Sequence, residues 1–235
     1  MAKIGLTWHG HACFSIDMGT KIIVDPFLNG NPLADIKPSQ VKADVVVVTH
    51  AHSDHLGDAI EICKANSAEL VTMVELAWSL SEKNDWLKAH DINISGSTTV
   101  KGVKISAVPA HHSSSFDGSY AGPPMGVVIG NNFRIYHAGD TGIVKDMEVL
   151  GDYYKPQVSL LPIGGHYTMG PEEAAYATGM IRSRYTIPMH YNTFDKIKAD
   201  PMLFSKLVKE KGSSEVIVAQ VGKELVFDEG GKRLE

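Results

Sequence analysis

The chain has 235 residues, 43% hydrophobic and 21% charged, an ordinary globular composition that argues against disorder, collagen and coiled coil. Its 22 Lys and Arg against 27 Asp and Glu leave a net charge of −5, so the chain as a whole lacks the positive field that draws in nucleic acid or an anionic membrane. Two cysteines, Cys13 and Cys63, are too few for a disulfide framework or a zinc-thiolate site and fit a reducing compartment, whereas eleven histidines exceed what packing needs.

The first eight residues show no basic stretch followed by an apolar core, and no apolar run approaches the roughly 20 residues that span a bilayer. A soluble, cytoplasmic protein without a membrane partner is expected. Short apolar runs bounded by turn residues predict strands over residues 4–8, 12–17 and, after the turn Met18-Gly19-Thr20, 21–25. Residues 44–49, Asp-Val-Val-Val-Val-Thr, predict a strand buried on both faces that ends at His50. Helical spacing follows over 57–65, then a short strand near Leu70 and a helix over 74–83. Further strands are predicted over 98–100, 103–108, 125–129 and 133–137, the last two joined by the turn Gly130-Asn131-Asn132. A helix over 143–151, a strand over 158–161, a helix opened by Pro171-Glu172-Glu173 and a strand over 186–189 come next. A helix over 200–211 and strands over 215–219 and 224–228 complete the series. No Pro- or Ser-rich linker interrupts it, so one domain over 1–235 with mixed sheets and outer helices is expected.

The sharpest feature is His50-Ala51-His52-Ser53-Asp54-His55, directly after the buried strand. Chance placement of three His and one Asp at these offsets has a probability on the order of 10⁻³. Four such groups at the end of a buried strand make a poor core, since each would lose water without a partner, and a metal ion offsets that cost. Imidazole and carboxylate donors suit zinc foremost, with manganese, iron or nickel also accepted. Alternating positions of an extended segment share a side, so His50 and His52 can hold one ion while Asp54 and His55 face a second. Other predicted strands run into further candidate donors: Pro109-Ala110-His111-His112, His137-Ala138-Gly139-Asp140-Thr141-Gly142, and His190.

This run, a later His, Gly-Asp-Thr and a C-terminal His resemble the metallo-β-lactamase superfamily, in the family's order and over nearly the whole chain. Trp8-His9-Gly10-His11-Ala12, Val24-Asp25-Pro26-Phe27, Gly165-His166-Tyr167-Thr168-Met169 and Pro188-Met189-His190-Tyr191-Asn192 further resemble the branch of uncharacterised metal-dependent hydrolases related to L-ascorbate-6-phosphate lactonases. The resemblance implies an α+β four-layer αββα sandwich, two mixed β-sheets packed face to face with helices outside. It places His50, His52 and one of His111 and His112 on a first metal; His112 is favoured because it precedes Ser113. Asp54, His55 and His190 fall on a second metal, with Asp140 between the two. His52 stands where flavodiiron relatives carry Glu, which favours hydrolysis over redox chemistry.

The resemblance and the donor set together imply two divalent cations roughly 3.5–4 Å apart that activate a water as hydroxide toward a carbonyl or phosphoryl centre. Asp54 or Asp140 would orient it and accept its proton, and His166 would contact substrate or protonate the leaving group. His11, Asp25, Tyr167, Thr168 and Asn192 are candidates for substrate contact or for support of the metal ligands; Asp25 could fix the tautomer of a ligating imidazole. His9, His90, His111 and His137 are left to packing or solvent. The expected partner is a small-molecule ester, lactone or phosphorylated substrate, and a homo-oligomer fits the resemblance. Alternatives are a nuclease or RNA-processing phosphodiesterase of the same superfamily, against which the net charge argues, and a non-catalytic metal-binding or sensing protein.

Overall fold

The computed structural model describes residues 3–234; the expected domain's ends, Met1, Ala2 and Glu235, lie outside the described residues. The first sheet begins with a meander of β1 (Lys3–Trp8), β2 (Phe14–Asp17) and β3 (Lys21–Val24), all antiparallel. It continues in parallel through β4 (Val45–Val47), β5 (Glu69–Met73) and β6 (Ala89–Ile92). The helices α1 (Ser53–Leu56), α2 (Ala59–Asn66) and α3 (Val74–Lys83) lie between these parallel strands in the chain.

The second sheet repeats the plan. Strands β7 (Ser97–Val100), β8 (Val103–Pro109), β11 (Met125–Ile129) and β12 (Ile135–His137) pair antiparallel, with a small hairpin of β9 (Ser115–Phe116) and β10 (Ser119–Tyr120) projecting between β8 and β11 in sequence. β13 (Val158–Pro162), β14 (Tyr185–Met189) and β15 (Glu215–Val216) then add in parallel, with α4 (Asp146–Tyr154), α5 (Pro171–Ile181) and α6 (Pro201–Lys211) in the connections. The last strand, β16 (Glu224–Asp228), returns to pair with β1, giving orders β16-β1-β2-β3-β4-β5-β6 and β15-β14-β13-β12-β11-β8-β7.

Burial explains the layering. In β4 and the residue after it, Val45 and Val47 join the core shared by the two sheets, while Val46 and Val48 join a separate core with Ile62, Leu70 and Leu76 beneath α2 and α3. The all-apolar strand is the consequence of covering both faces. On the far side Met147, Ala174 and Phe204 of α4, α5 and α6 pack onto the second sheet, completing an αββα sandwich. Pro171 opens α5 as expected; in addition the Glu173 carboxylate accepts the Gly170 N–H at 2.9 Å, and Asp200 caps α6 by accepting from Met202 N–H at 2.8 Å.

Several boundaries differ from the sequence-based expectation. The helix expected over 57–65 is α2, which starts two residues later at Ala59, and the single turn α1 ahead of Gly57 is additional. The strand expected over 133–137 starts at Ile135, the helix expected over 143–151 runs from Asp146 to Tyr154, and β6 is additional. Among the described residues no helix is long and apolar enough to cross a membrane. Both cysteines are free thiols and buried.

Candidate metal centre

The site forms where strand ends from both sheets meet. β3 leads into Asp25 and the parallel β4 into Thr49 and His50, which sets Asp25 beside Thr49: its carboxylate accepts the Thr49 N–H at 2.8 Å and the Thr49 hydroxyl at 2.7 Å. The single turn α1 then carries His55 back to the same carboxylate, Nδ1 to Oδ2, at 2.7 Å. Gly57 makes this possible. It sits at φ 41°, ψ −121°, and a Cβ there would lie 2.5 Å from the Pro26 carbonyl oxygen and 2.9 Å from Phe27 Cα. From the second sheet, β8 leads to His112, β12 to Asp140 and β14 to His190. Two backbone bonds close the seam between the sheets: Met125 N–H to the Thr49 carbonyl at 3.1 Å and His190 N–H to the His11 carbonyl at 2.9 Å.

Three groups of side chains place their donor atoms within 4.8 Å of one another: His50, His52 and His112; His50, His55 and Asp140; and His11, Asp54, His55 and His190. Asp140 is the hub, its oxygens lying 3.2 Å from His55 Nε2, 3.4 Å from His112 Nε2 and 3.2 Å from His190 Nε2. Several of these approaches lack hydrogen-bond geometry. His55 Nε2, Asp140 Oδ1 and both ring nitrogens of His190 are buried without a hydrogen-bond partner. Orphaned polar atoms cost folding free energy, and so many converging on one point fit a cation that accepts their lone pairs.

Electrostatics agree with such a site. Burial pushes the His50 imidazole well below its usual pKa, and the neighbouring His55 adds to the effect, leaving a neutral donor. Burial also opposes charge on His55, but Asp140 and Asp25 outweigh it and raise its pKa well above the usual value. Asp140 is held well below the carboxylate range, against its own burial, by His55 and His190. Without a cation, positive charge is thus drawn onto an imidazole in the centre of the cluster.

The remaining residues singled out in the sequence divide into two sets. His11 is buried, with Nε2 3.2 Å from Asp54 Oδ2 and Nδ1 3.1 Å from the Thr193 hydroxyl; burial lowers its pKa to about 4. A cleft of about 470 Å³ opens over the cluster, lined by His52, Asp54, His112, Asp140 and His190 together with Ser113, Tyr167, Phe194, Asp195 and Lys196. His166, Thr168 and Asn192 are not among its lining residues. His166 is exposed with its ring 4.4 Å from that of Tyr167, the Thr168 hydroxyl donates to the Met169 carbonyl at 3.4 Å, and Asn192 accepts from Ala199 N–H at 3.0 Å, bracing its own loop. His111 is exposed and outside the three donor groups. His9 pairs with Asp35 and Ser15, His90 with Glu69, and His137 with the Ala12 carbonyl. Sequence reasoning missed Ser113, Thr193, Phe194 and Lys196; for the last three the available signal is their place directly after His190.

This sandwich, with His and Asp donors gathered at strand ends along the seam between the sheets, defines a protein of the β-lactamase superfamily, and residues 20–191 match the family model described as the beta-lactamase superfamily domain. Within that superfamily the chain belongs to the UPF0173 metal-dependent hydrolase family. It is 48% identical over 218 residues to the UPF0173 metal-dependent hydrolase of Thermoplasma volcanium, covering 93% of this chain and 96% of that protein. It is 50% identical over 216 residues to that of Thermococcus onnurineus, covering 91% and 95%. The fold superposes with a TM-score of 0.89 on Igni18, a metallo hydrolase from Ignicoccus hospitalis, at 38% identity and with 96% of this chain and 99% of that one covered.

Proposed function

We propose that this chain is a hydrolase working with two divalent metal ions on a small-molecule ester, lactone or phosphorylated substrate. The observation that carries the proposal is the convergence of eight His and Asp side chains, several with orphaned buried donor atoms, beneath an open cleft. The names of its relatives as metal-dependent hydrolases support it. His50, His52 and His112 would hold one ion, and Asp54, His55 and His190 the other, with Asp140 reaching both; the donors favour zinc and also accept manganese, iron or nickel. Bound there, such ions supply Lewis acidity and make water acidic enough to act as a nucleophile near neutral pH.

The chain's own residues then supply orientation. Asp54 lines the cleft with its Oδ2 3.2 Å from His11 Nε2, so its carboxylate is placed to orient a water at the cleft surface. Asp140, more deeply buried, stands within 3.4 Å of three imidazoles. His166 stands outside the lining and is assigned no step in this arrangement. A nucleic-acid substrate is disfavoured by the cleft itself, where Lys196 is the sole Lys or Arg among the lining residues. The test is elemental analysis of purified protein paired with a panel of ester, lactone and phosphodiester substrates. Bound metal, with turnover abolished by chelation and by Asp140→Ala, is expected; protein free of metal and turnover indifferent to both changes would overturn the proposal.

A further inference from the structure

The outer half of the cleft is built differently from its floor. Phe194 has its ring 5.4 Å from that of His11 and is 39% exposed, so it carries an apolar surface from beside the buried donors up to solvent. Tyr167, 51% exposed, comes from the opposite loop, and the Lys196 ammonium stands 5.9 Å from its ring centroid. Asp195, the other charged residue at this rim, is engaged by Lys198 at 2.8 Å. Lys196 makes no ion pair among the described residues. Going outward, the cleft therefore offers Asp54 and the histidine cluster, then an aromatic wall, then a cation that forms no ion pair among the described residues.

From this order we infer that the rim is an anion subsite: Lys196 selects substrates whose scissile bond is separated by a short apolar segment from a terminal carboxylate or phosphate. The inference rests on the hydrolase proposal above and narrows its substrate class. Phe194 and Tyr167 cover the apolar segment, an explanation for two large aromatic side chains left facing water at one opening. Lys196 contributes through a charge contact at the rim, not through chemistry at the reacting atoms.

The experiment uses full-length, metal-loaded protein and two esters of equal acyl length, p-nitrophenyl valerate and mono-p-nitrophenyl glutarate. Wild type is expected to prefer the glutarate ester, and Lys196→Ala to reduce that preference in kcat/KM about three- to fivefold through KM, the range of one exposed charge contact. Lys196→Arg should restore it, and raising the salt should erode it in wild type. Glutarate and propyl phosphate added as competitors distinguish the two termini: the one whose inhibition weakens more in Lys196→Ala is the preferred group. A glutarate-to-valerate ratio that is the same in wild type and Lys196→Ala overturns the subsite. If wild type cleaves neither ester, the hydrolase proposal is what suffers, and calorimetric binding of glutarate and propyl phosphate decides the subsite by itself. Weaker binding by Lys196→Ala than by wild type and Lys196→Arg supports it, and equal binding overturns it.

Discussion

The imidazole Nδ1 of His55 lies 2.7 Å from Oδ2 of Asp25, a contact between two side chains with no exposed surface. In neutral His55 this contact puts the proton on Nδ1, donated to the carboxylate, and leaves Nε2 as a lone-pair donor facing Asp140 and the cluster. Asp25→Asn replaces one acceptor by an amide N–H that opposes a donor from either Thr49 or His55. Metal affinity is expected to fall about 10- to 100-fold, as for other groups that orient metal ligands. Competition with a chromophoric chelator measures it, and unchanged affinity would show that Asp25 only holds the strand end together.

The metal-free protein should lose stability as pH falls from 6.5 toward 4. His11 keeps its proton off down to about 4 in the fold, and burial lowers His50 and His137 as well, whereas the unfolded chain protonates near 6.5. Groups with depressed folded pKa values contribute fully above 6.5 and lose that contribution as pH falls. His55, with a raised pKa, contributes fully throughout this window and so adds no slope to it. Asp54 and Asp140 act only near and below 3.8, and Glu69, lowered from 4.5 to about 2 chiefly by Lys88 and His90, adds to the slope only at the acid end of the window. Melting temperatures of chelated protein between pH 7 and 4 should show the decline, and His11→Gln should flatten it.

Gly57→Ala is expected to destabilise the fold by about 1–3 kcal/mol, the range for a side chain forced into a glycine-only conformation. The added Cβ would also press on the backbone of Pro26 and Phe27, displacing the strand end that carries Asp25. Denaturant titration should therefore show reduced stability together with weaker metal binding. Normal metal binding in a destabilised variant would separate the two effects and assign Gly57 to the fold alone.

Removing metal should lower the melting temperature, because ions bind the assembled cluster and not the unfolded chain. At free metal of 100 times the dissociation constant, one site contributes about 2.7 kcal/mol. In His50→Ala, which removes a member of two of the three donor groups, the shift caused by chelation should shrink markedly. A shift equal to that of wild type would place the metal elsewhere.

The outline of the fold and the inner site are legible from sequence for local reasons. A doubly buried strand such as β4 must be apolar throughout, and His50 to Asp54 lie so close together that their joint chemistry shows without knowing the fold. β6 was not legible because Ala89-His90-Asp91-Ile92 is an edge strand, largely polar and only partly buried, with His90 spent on Glu69. The single turn α1 is too short, at four residues, to show a period of its own ahead of Gly57. His111 and His112 share a strand end, and His112, favoured by the following Ser113, is the one whose Nε2 lies 3.4 Å from Asp140. Phe194 and Lys196 carry no motif; their importance comes from a loop that folds back over the cleft. His166 and Thr168 lie next to Tyr167 in sequence, yet the turn at Gly165 and His166 puts only Tyr167 on the cleft.

The bond from His190 N–H to the His11 carbonyl ties the start of the chain to a point more than three-quarters of the way along it. Synthesis therefore presents His50, His52, Asp54 and His55 long before His190 leaves the ribosome. During that interval the nascent protein exposes a histidine-rich loop with an incomplete donor set, open to whichever cation is most competitive in its surroundings. The full donor set, and any affinity that depends on all of its members, therefore exists only after four-fifths of the chain has been made.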